Sequence, residues 1–132
     1  MANDRLPRLI FASSEESADM LYATKLSVPD PFLFVLQNGK KTILLNDLEI
    51  DRGRKEAKVD EVIAFSSIER SLEKRLKSKP PIEQTIAHFL RKRRIRQAAV
   101  PYSFPIGLAT ELAKEGVKVV PMAGLFWSER EF

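Results

Sequence analysis

The sequence predicts an α/β domain with a mixed β-sheet that is covered by helices on both faces. Segments with strand patterns alternate along the chain with amphipathic helical patterns, which is typical of a sheet between two helical layers. Asn38-Gly39 separates two apolar runs, Phe32–Gln37 and residues 41–45. Asn-Gly in that position predicts an antiparallel hairpin, because both residues tolerate positive φ. A hairpin inside the alternating pattern makes the sheet mixed rather than purely parallel.

The N-terminal part of this pattern begins with a strand. The short apolar run Arg8–Ala12 follows a proline and predicts the first strand. Ser13 and Glu16 have the spacing of a capping box, so we expect the first helix to cover residues 13–23. Residues 24–31 contain two prolines and predict a loop that leads into the hairpin.

The middle of the chain predicts a helix, a strand and a second helix. Residues 47–58 are charged and compatible with a helix, although Gly53 weakens that helix. Residues 59–65 predict a strand, and Ser66 or Ser67 is placed to cap the helix that follows. The apolar positions of that helix, spaced four residues apart, are Ile68, Leu72 and Leu76. The proline pair at 80–81 ends the helix.

The C-terminal part repeats the alternation. A helix begins at Ile82, residues 97–102 predict a strand, and residues 117–121 predict the last strand. Pro105 is suited to the first position of the helix between those strands, and Gly116 to its C-terminal cap. The apolar residues of the helix that begins at Ile82 are Ile82, Ile86, Phe89 and Leu90. The residues of the last helix that we expect to face the core are Ile106, Leu108, Ala109, Leu112 and Ala113.

Composition places the chain among ordinary single-domain globular proteins. Its 132 residues are enough for one hydrophobic core, and they include no cysteine. The lack of cysteine excludes a disulfide framework, a zinc-thiolate site and a cysteine nucleophile. The N-terminus does not have the pattern of a signal peptide, and no apolar run approaches the roughly 20 residues that span a bilayer. We therefore expect a cytoplasmic protein without a membrane partner.

Motifs of common catalytic sites are missing from the sequence. There is no G-x-S-x-G, no Walker A sequence and no G-x-G-x-x-G, and the single histidine, His88, lies off the main apolar face of its helix. His88 therefore favours a packing or surface role. Asp47, Glu49 and Asp51 have an alternating spacing that could gather a cation, but the neighbouring basic residues favour a solvated helix.

A basic run, Arg91 to Arg96, has five cations in six residues and leaves one alternative function open. Clustered cations on one accessible face can bind nucleic-acid phosphates. The run lies at a helix C-terminus, however, where cations complement the helix dipole. No aromatic residues are interleaved with it to stack on bases. We therefore expect no nucleic-acid partner and retain nucleic-acid binding as the less favoured alternative.

Several segments, taken in their order along the chain, resemble one known family. Residues 19–24 read DMLYAT, and a proline-bearing loop and the hairpin follow them. Residues 46–57 then read NDLEIDRGRKEA, and the last strand reads GVKVV at residues 116–120. This arrangement resembles the N-terminal domain of the creatinase, prolidase and Xaa-Pro aminopeptidase family. The chain departs from the family pattern at Lys25-Leu26, where the family often has Gly-Phe.

The resemblance implies a three-layer α/β/α domain of the ribonuclease H-like kind, with a mixed sheet of five or six strands. It also implies that the catalytic machinery belongs to a separate C-terminal pita-bread domain. That domain would hold two divalent metals (manganese, cobalt or zinc) through Asp, Asp, His, Glu and Glu ligands. None of those ligands can be placed on this chain, so the resemblance predicts no catalytic or metal-binding residue here. Dipeptidase, aminopeptidase and creatinase-like activities of the parent protein remain alternatives.

The resemblance further implies how the chain is organised. Residues 1–125 would form the domain, and residues 126–132 would begin a linker to its own catalytic domain. In the family this domain supports a homodimer, and the loop after its first helix can approach the active site of a neighbouring subunit. By position, the substrate-entrance residues are Lys25, Leu26 and Asp30. The candidates for partner or linker contacts are Phe126 and Trp127. The alternative is a protein-interaction module of a peptidase-like protein that has lost catalysis.

Overall fold

The computed structural model describes residues 6–76 and 78–126. The described residues form one six-stranded sheet and five α-helices. The strands are β1 (Arg8–Ala12), β2 (Phe32–Gln37), β3 (Lys40–Leu45), β4 (Glu61–Ala64), β5 (Gln97–Val100) and β6 (Lys118–Pro121). The helices are α1 (Ala18–Thr24), α2 (Ile50–Glu56), α3 (Phe65–Leu76), α4 (Ile82–Lys92) and α5 (Ile106–Lys114). None of these helices is long and apolar enough to cross a membrane.

The sheet is mixed because one central strand runs against the others. The strand order is β4-β3-β2-β1-β5-β6, and β2 is antiparallel to both of its neighbours. The remaining five strands are parallel to one another. Asn38 and Gly39 make the β2–β3 turn with φ of 53° and 78°, which confirms the predicted hairpin. We call the edge where the five parallel strands begin the amino edge and the opposite one the carboxyl edge.

Two hydrophobic clusters lie on opposite faces of the sheet and give the molecule three layers. Leu33 and Val35 of β2 pack into the first cluster with apolar residues of α3, α4 and α5. Phe32 and Phe34 of the same strand pack into the second cluster with residues of α1 and α2. This alternation follows from the two-residue period of a strand. The predicted α/β/α fold class with a mixed sheet is therefore confirmed.

Two predicted helix starts were wrong, because the serines expected to cap the helices make other hydrogen bonds. Helix α1 begins at Ala18, since the Ser17 hydroxyl accepts a hydrogen bond of 3.1 Å from the Met20 N–H. Ser13 instead accepts from the Glu16 N–H at 3.2 Å in the preceding turn.

Helix α3 begins at Phe65, directly after β4. The hydroxyls of Ser66 and Ser67 donate hydrogen bonds there, to Asp47 and Ala64 respectively, instead of accepting as caps do. The predicted helix over residues 47–58 is also shorter than expected. It is divided into a turn of 3₁₀ helix, Asp47–Glu49, and α2. The Asn46 side chain caps that turn by accepting from the Glu49 N–H at 3.2 Å.

The glycine in α2 is explained by close packing against the sheet. A methyl group added at Gly53 would overlap Leu45 and would lie 3.4 Å from Val62 and 3.8 Å from Leu26. Leu45 is buried in the second cluster, so it has little room to move away. Gly53 therefore lowers the intrinsic helix propensity of α2, but it also allows α2 to pack closely on the sheet.

We expect Gly53→Ala to destabilise the protein by about 1–3 kcal/mol, because overpacking outweighs the gain of up to about 1 kcal/mol in helix propensity. The matched control is Gly107→Ala in α5, where an added methyl group meets nothing within 4 Å. That variant should be unchanged or more stable by about 0.5 kcal/mol. Urea unfolding of both variants measures the difference. Equal stability of the two variants would contradict the close approach of α2.

Candidate functional site

The loop that was predicted to form a substrate entrance begins where α1 ends. Helix α1 stops because Lys25 adopts a left-handed conformation with φ of 57°, and its N–H donates to the Leu21 carbonyl at 2.7 Å. The Lys41 ammonium group donates to the Ala23 carbonyl at 3.3 Å. Because Lys41 lies at the start of β3, the Lys25 end of the loop lies at the amino edge.

The loop then runs in an extended path to the other edge of the sheet. Leu26 and Val28 are buried in the second cluster, and the Val28 N–H donates to the Ser14 hydroxyl at 2.6 Å. Ser14 follows β1, so Val28 and the exposed Asp30 lie at the carboxyl edge. The structure therefore does not bring Lys25 and Asp30 together.

Leu26 differs from the other two predicted entrance residues because its side chain is only 1 % exposed. It is a residue of the second core cluster, and its N–H bonds to the Thr24 hydroxyl at 3.2 Å. Lys25 and Asp30, in contrast, have exposed side chains. A contribution of this loop to a substrate entrance stays a prediction, and these two exposed residues are the ones that could make it.

Phe126 belongs to the core of the described domain. Its side chain is 0 % exposed, and its ring packs edge-to-face on Phe34 with 5.9 Å between centroids. The Arg8 guanidinium lies 5.9 Å from the same ring and donates to the Leu125 carbonyl at 2.7 Å. The packed core thus extends one residue beyond the predicted boundary at 125. Trp127 lies outside the described residues, and the linker stays a prediction.

Large apolar side chains are exposed at the carboxyl edge. Leu48 follows β3 and is 91 % exposed, and Tyr102 and Ile106 follow β5 and are 75 % and 84 % exposed. Tyr102 and Ile106 also line an apolar cavity of about 170 Å³ beside Phe104 and Pro121. The prediction that Ile106 faces the core was wrong, because the core-facing positions of α5 begin at Leu108. Ala113 is exposed as well.

Two of the three carboxylates of the 47–51 segment, those of Asp47 and Glu49, are engaged by separate partners. Asp47 accepts a hydrogen bond from Ser66 at 2.7 Å, and Glu49 pairs with Arg52 at 3.3 Å. No three His, Asp or Glu side chains in the described ranges converge to hold a metal ion. Those ranges therefore do not fit the two divalent metals that the family resemblance implies. His88 is half-buried in α4.

The basic run divides into inward and outward cations. The Arg93 guanidinium lies 4.8 Å from the Phe89 ring and forms an ion pair of 3.0 Å with Glu61. Glu61 also accepts from the Thr42 hydroxyl at 3.0 Å and pairs with Lys40 at 3.5 Å. Burial raises the pKa of Glu61, but these hydrogen bonds and the charges of Arg93 and Lys40 together hold it below its ordinary value of 4.5. The ion pair of Arg93 with Glu61 thus links the end of α4 to the edge strand β4, which is a structural role.

Comparison with known proteins identifies this architecture. No protein-family model and no curated protein sequence matches the chain. Among solved structures, a Xaa-Pro aminopeptidase from Streptococcus pyogenes matches with a TM-score of 0.66 at 11% identity, over 95% of this chain and 84% of the other.

Two longer solved chains contain the same fold in part of their length. Prolidase from Pyrococcus furiosus matches with a TM-score of 0.62 at 12% identity, over 89% of this chain and 28% of the prolidase. The Xaa-Pro dipeptidase from Bacillus anthracis matches with a TM-score of 0.65 at 11% identity, over 90% of this chain and 29% of the dipeptidase. At these identities the comparison establishes the fold, and it agrees with the fold type that the sequence resemblance implied. The chain spans about three tenths of these two peptidase chains.

The ion pair at Glu61 predicts a pH-dependent stability. Because folding lowers the Glu61 pKa, its carboxylate stabilises the fold above the ordinary value of 4.5, and this stabilisation disappears as the pH falls through the lowered pKa. Since the pair is partly exposed, we expect Glu61→Gln to lose less than about 1 kcal/mol at neutral pH. Urea unfolding from about pH 6 to about pH 3 should show the native chain and the variant converging at low pH. A constant difference across that range would contradict this role.

Proposed function

We propose that this chain is the non-catalytic N-terminal domain of a Xaa-Pro peptidase, whose metal-dependent chemistry belongs to a separate catalytic domain. The observation that supports this proposal most strongly is the extent of the fold match. About nine tenths of this chain aligns, but only about three tenths of the prolidase and dipeptidase chains does. The greater part of a parent peptidase built like these two chains would then lie outside the matched fold. An oligomeric metallopeptidase built this way would use the present domain for assembly.

The exposed apolar residues of the carboxyl edge support an assembly role. Exposed aromatic and aliphatic side chains that border a cavity are typical of surfaces that another protein covers. Tyr102 and Ile106 meet this description, and Asp30 lies at the same edge of the sheet. We therefore assign homodimerisation to the Tyr102–Ile106 surface and the substrate entrance to the Asp30 end of the loop.

The first test concerns catalysis. The purified 132-residue chain should release no amino acid from a Xaa-Pro dipeptide or tripeptide when manganese, cobalt or zinc is added. An active prolidase in the same buffers is the positive control for the metals and substrates. Metal-dependent turnover that co-elutes with the folded chain through repeated purification would overturn the non-catalytic assignment.

The second test concerns assembly. At high protein concentration the chain should form dimers in sedimentation experiments. Tyr102→Ser with Ile106→Ser should weaken dimerisation at least tenfold, or about 1.4 kcal/mol, because both changes remove apolar area from the contact. Leu48→Ser is the matched control, since Leu48 is also a highly exposed apolar residue but follows β3 instead of β5. A chain that stays monomeric, or a control that weakens the dimer as much, would contradict this surface.

A further inference from the structure

Helices α4 and α5 contact each other and end with the same backbone motif. At the end of α4 the Ile95 N–H donates to the Leu90 carbonyl at 2.9 Å, and the Arg94 N–H donates to the Arg91 carbonyl at 2.9 Å. These two bonds define a Schellman motif, in which the residue after the cap adopts a left-handed conformation. Ile95 is buried in the first cluster beside Leu90, which is the apolar contact that accompanies the motif.

The end of α5 provides an internal comparison. The Val117 N–H donates to the Leu112 carbonyl at 2.8 Å, and the Gly116 N–H donates to the Ala113 carbonyl at 3.1 Å. The left-handed residue of α5 is Gly116, with φ of 88°. Glycine is the usual residue at this position, because a side chain there meets the backbone.

The corresponding residue of α4 is Arg94, with φ of 61°. A residue with a side chain is strained in this conformation, and such strained positions concentrate at functional sites. The Arg94 side chain is exposed and has no hydrogen bond or ion pair with any described residue. No polar contact among the described residues therefore accounts for arginine at this position, and its exposed guanidinium group is accessible to a ligand.

The two motifs border a common cavity of about 640 Å³. The described residues that line it are Arg91, Arg94, Arg96 and Gly116, and we call it the arginine cleft. Arg96, like Arg94, has no side-chain partner among the described residues. Arg91 forms an ion pair of 3.2 Å with Glu115. The formal side-chain charges of these three guanidinium groups and this carboxylate sum to +2, and the cations also face the negative dipole ends of α4 and α5.

We propose that the arginine cleft binds the phosphate dianion of a phosphomonoester. A dianion matches the net charge of the cleft, and guanidinium groups bind phosphate oxygens in a bidentate manner. Gly116 lacks a side chain and leaves space for the anion between the helix ends. The described residues that line the cleft include no aromatic residue on which a base could stack, which favours a compact phosphomonoester over single-stranded nucleic acid.

The decisive variant is Arg94→Gly. It places glycine at the left-handed position after α4, as Gly116 does after α5. It should leave Tm unchanged or raised by a few degrees, because the left-handed strain is relieved. Its affinity for phenyl phosphate should nevertheless fall at least tenfold, as measured by isothermal titration calorimetry. Arg96→Ala should show the same loss of affinity. Retention of binding by either variant would overturn the proposal.

Two further variants distinguish a built site from general positive charge. Lys92→Ala removes a neighbouring exposed cation that does not line the cleft, and its affinity should stay within about twofold of the native chain. Glu115→Gln should tighten binding several-fold, because it releases Arg91 and raises the net charge of the cleft. If Lys92→Ala weakens binding as much as Arg96→Ala, the cleft is not a specific site.

The source of the phosphate is tested by changing the probe. Inorganic phosphate should compete with phenyl phosphate for the arginine cleft if the phosphate group alone is recognised. If phenyl phosphate binds but inorganic phosphate does not compete with it, the cleft recognises the phenyl group instead of the phosphate group. That result would overturn the assignment. Tighter binding of single-stranded DNA, with the same losses in Arg94→Gly and Arg96→Ala, would overturn it in favour of nucleic acid.

Discussion

Burial of β2 on both faces is the constraint on which the rest of the structure depends. Its alternate side chains enter two separate hydrophobic clusters, and those of Phe32, Leu33, Phe34 and Val35 are at most 3 % exposed. Each such side chain contributes about 1.5–3 kcal/mol through removal from water. Both faces of the strand need a covering layer, and in this domain helices cover both sides of the sheet. The three layers of the domain therefore follow from the composition of a single strand.

The direction of β2 also determines how the surface is divided. Because β2 alone runs against the other strands, the beginnings of five strands share one edge, and their ends share the other. Cations lie at or beside the starts of four strands, at Arg8, Lys40, Arg96 and Lys118. Exposed apolar residues follow the ends of β3 and β5. The proposed dimer surface and the arginine cleft thus lie at opposite edges, so each can be altered without changing the other.

The sequence predicted best those features that depend on neighbouring residues. The hairpin followed from the conformational preferences of Asn38 and Gly39, and the strands of the core followed from runs of apolar residues. The start of α1 was misplaced because Ser13 has capping-box spacing to Glu16, whereas in the structure Ser13 caps a turn and the Ser17 hydroxyl caps the helix. Ile106 was placed in the core because it is an apolar residue within a helical pattern, but its side chain is 84 % exposed and the buried positions of α5 are Leu108 and Leu112.

The proposed functional surfaces depend on contacts between distant residues, which a single sequence does not reveal. The basic run was recognised, but its division into an inward Arg93 and an outward cleft depends on Glu61 and Gly116, each more than 20 positions away. One feature of the sequence could nevertheless have pointed to the arginine cleft. Arg94 occupies the position after a helix end where glycine or asparagine is expected, and Gly116 occupies that position in α5. The packing of Phe126 on Phe34 likewise joins residues far apart in sequence.

The central claim is that one doubly buried antiparallel strand holds the two clusters together as a single folding unit. Native-state hydrogen exchange of the backbone amides in β2 and in its neighbours β1 and β3 tests this claim most directly. Amides in these three strands should exchange only through global unfolding, with the same free energy as urea unfolding measures. Faster exchange in β2 than in α4 and α5, or separate unfolding of the two faces, would contradict it.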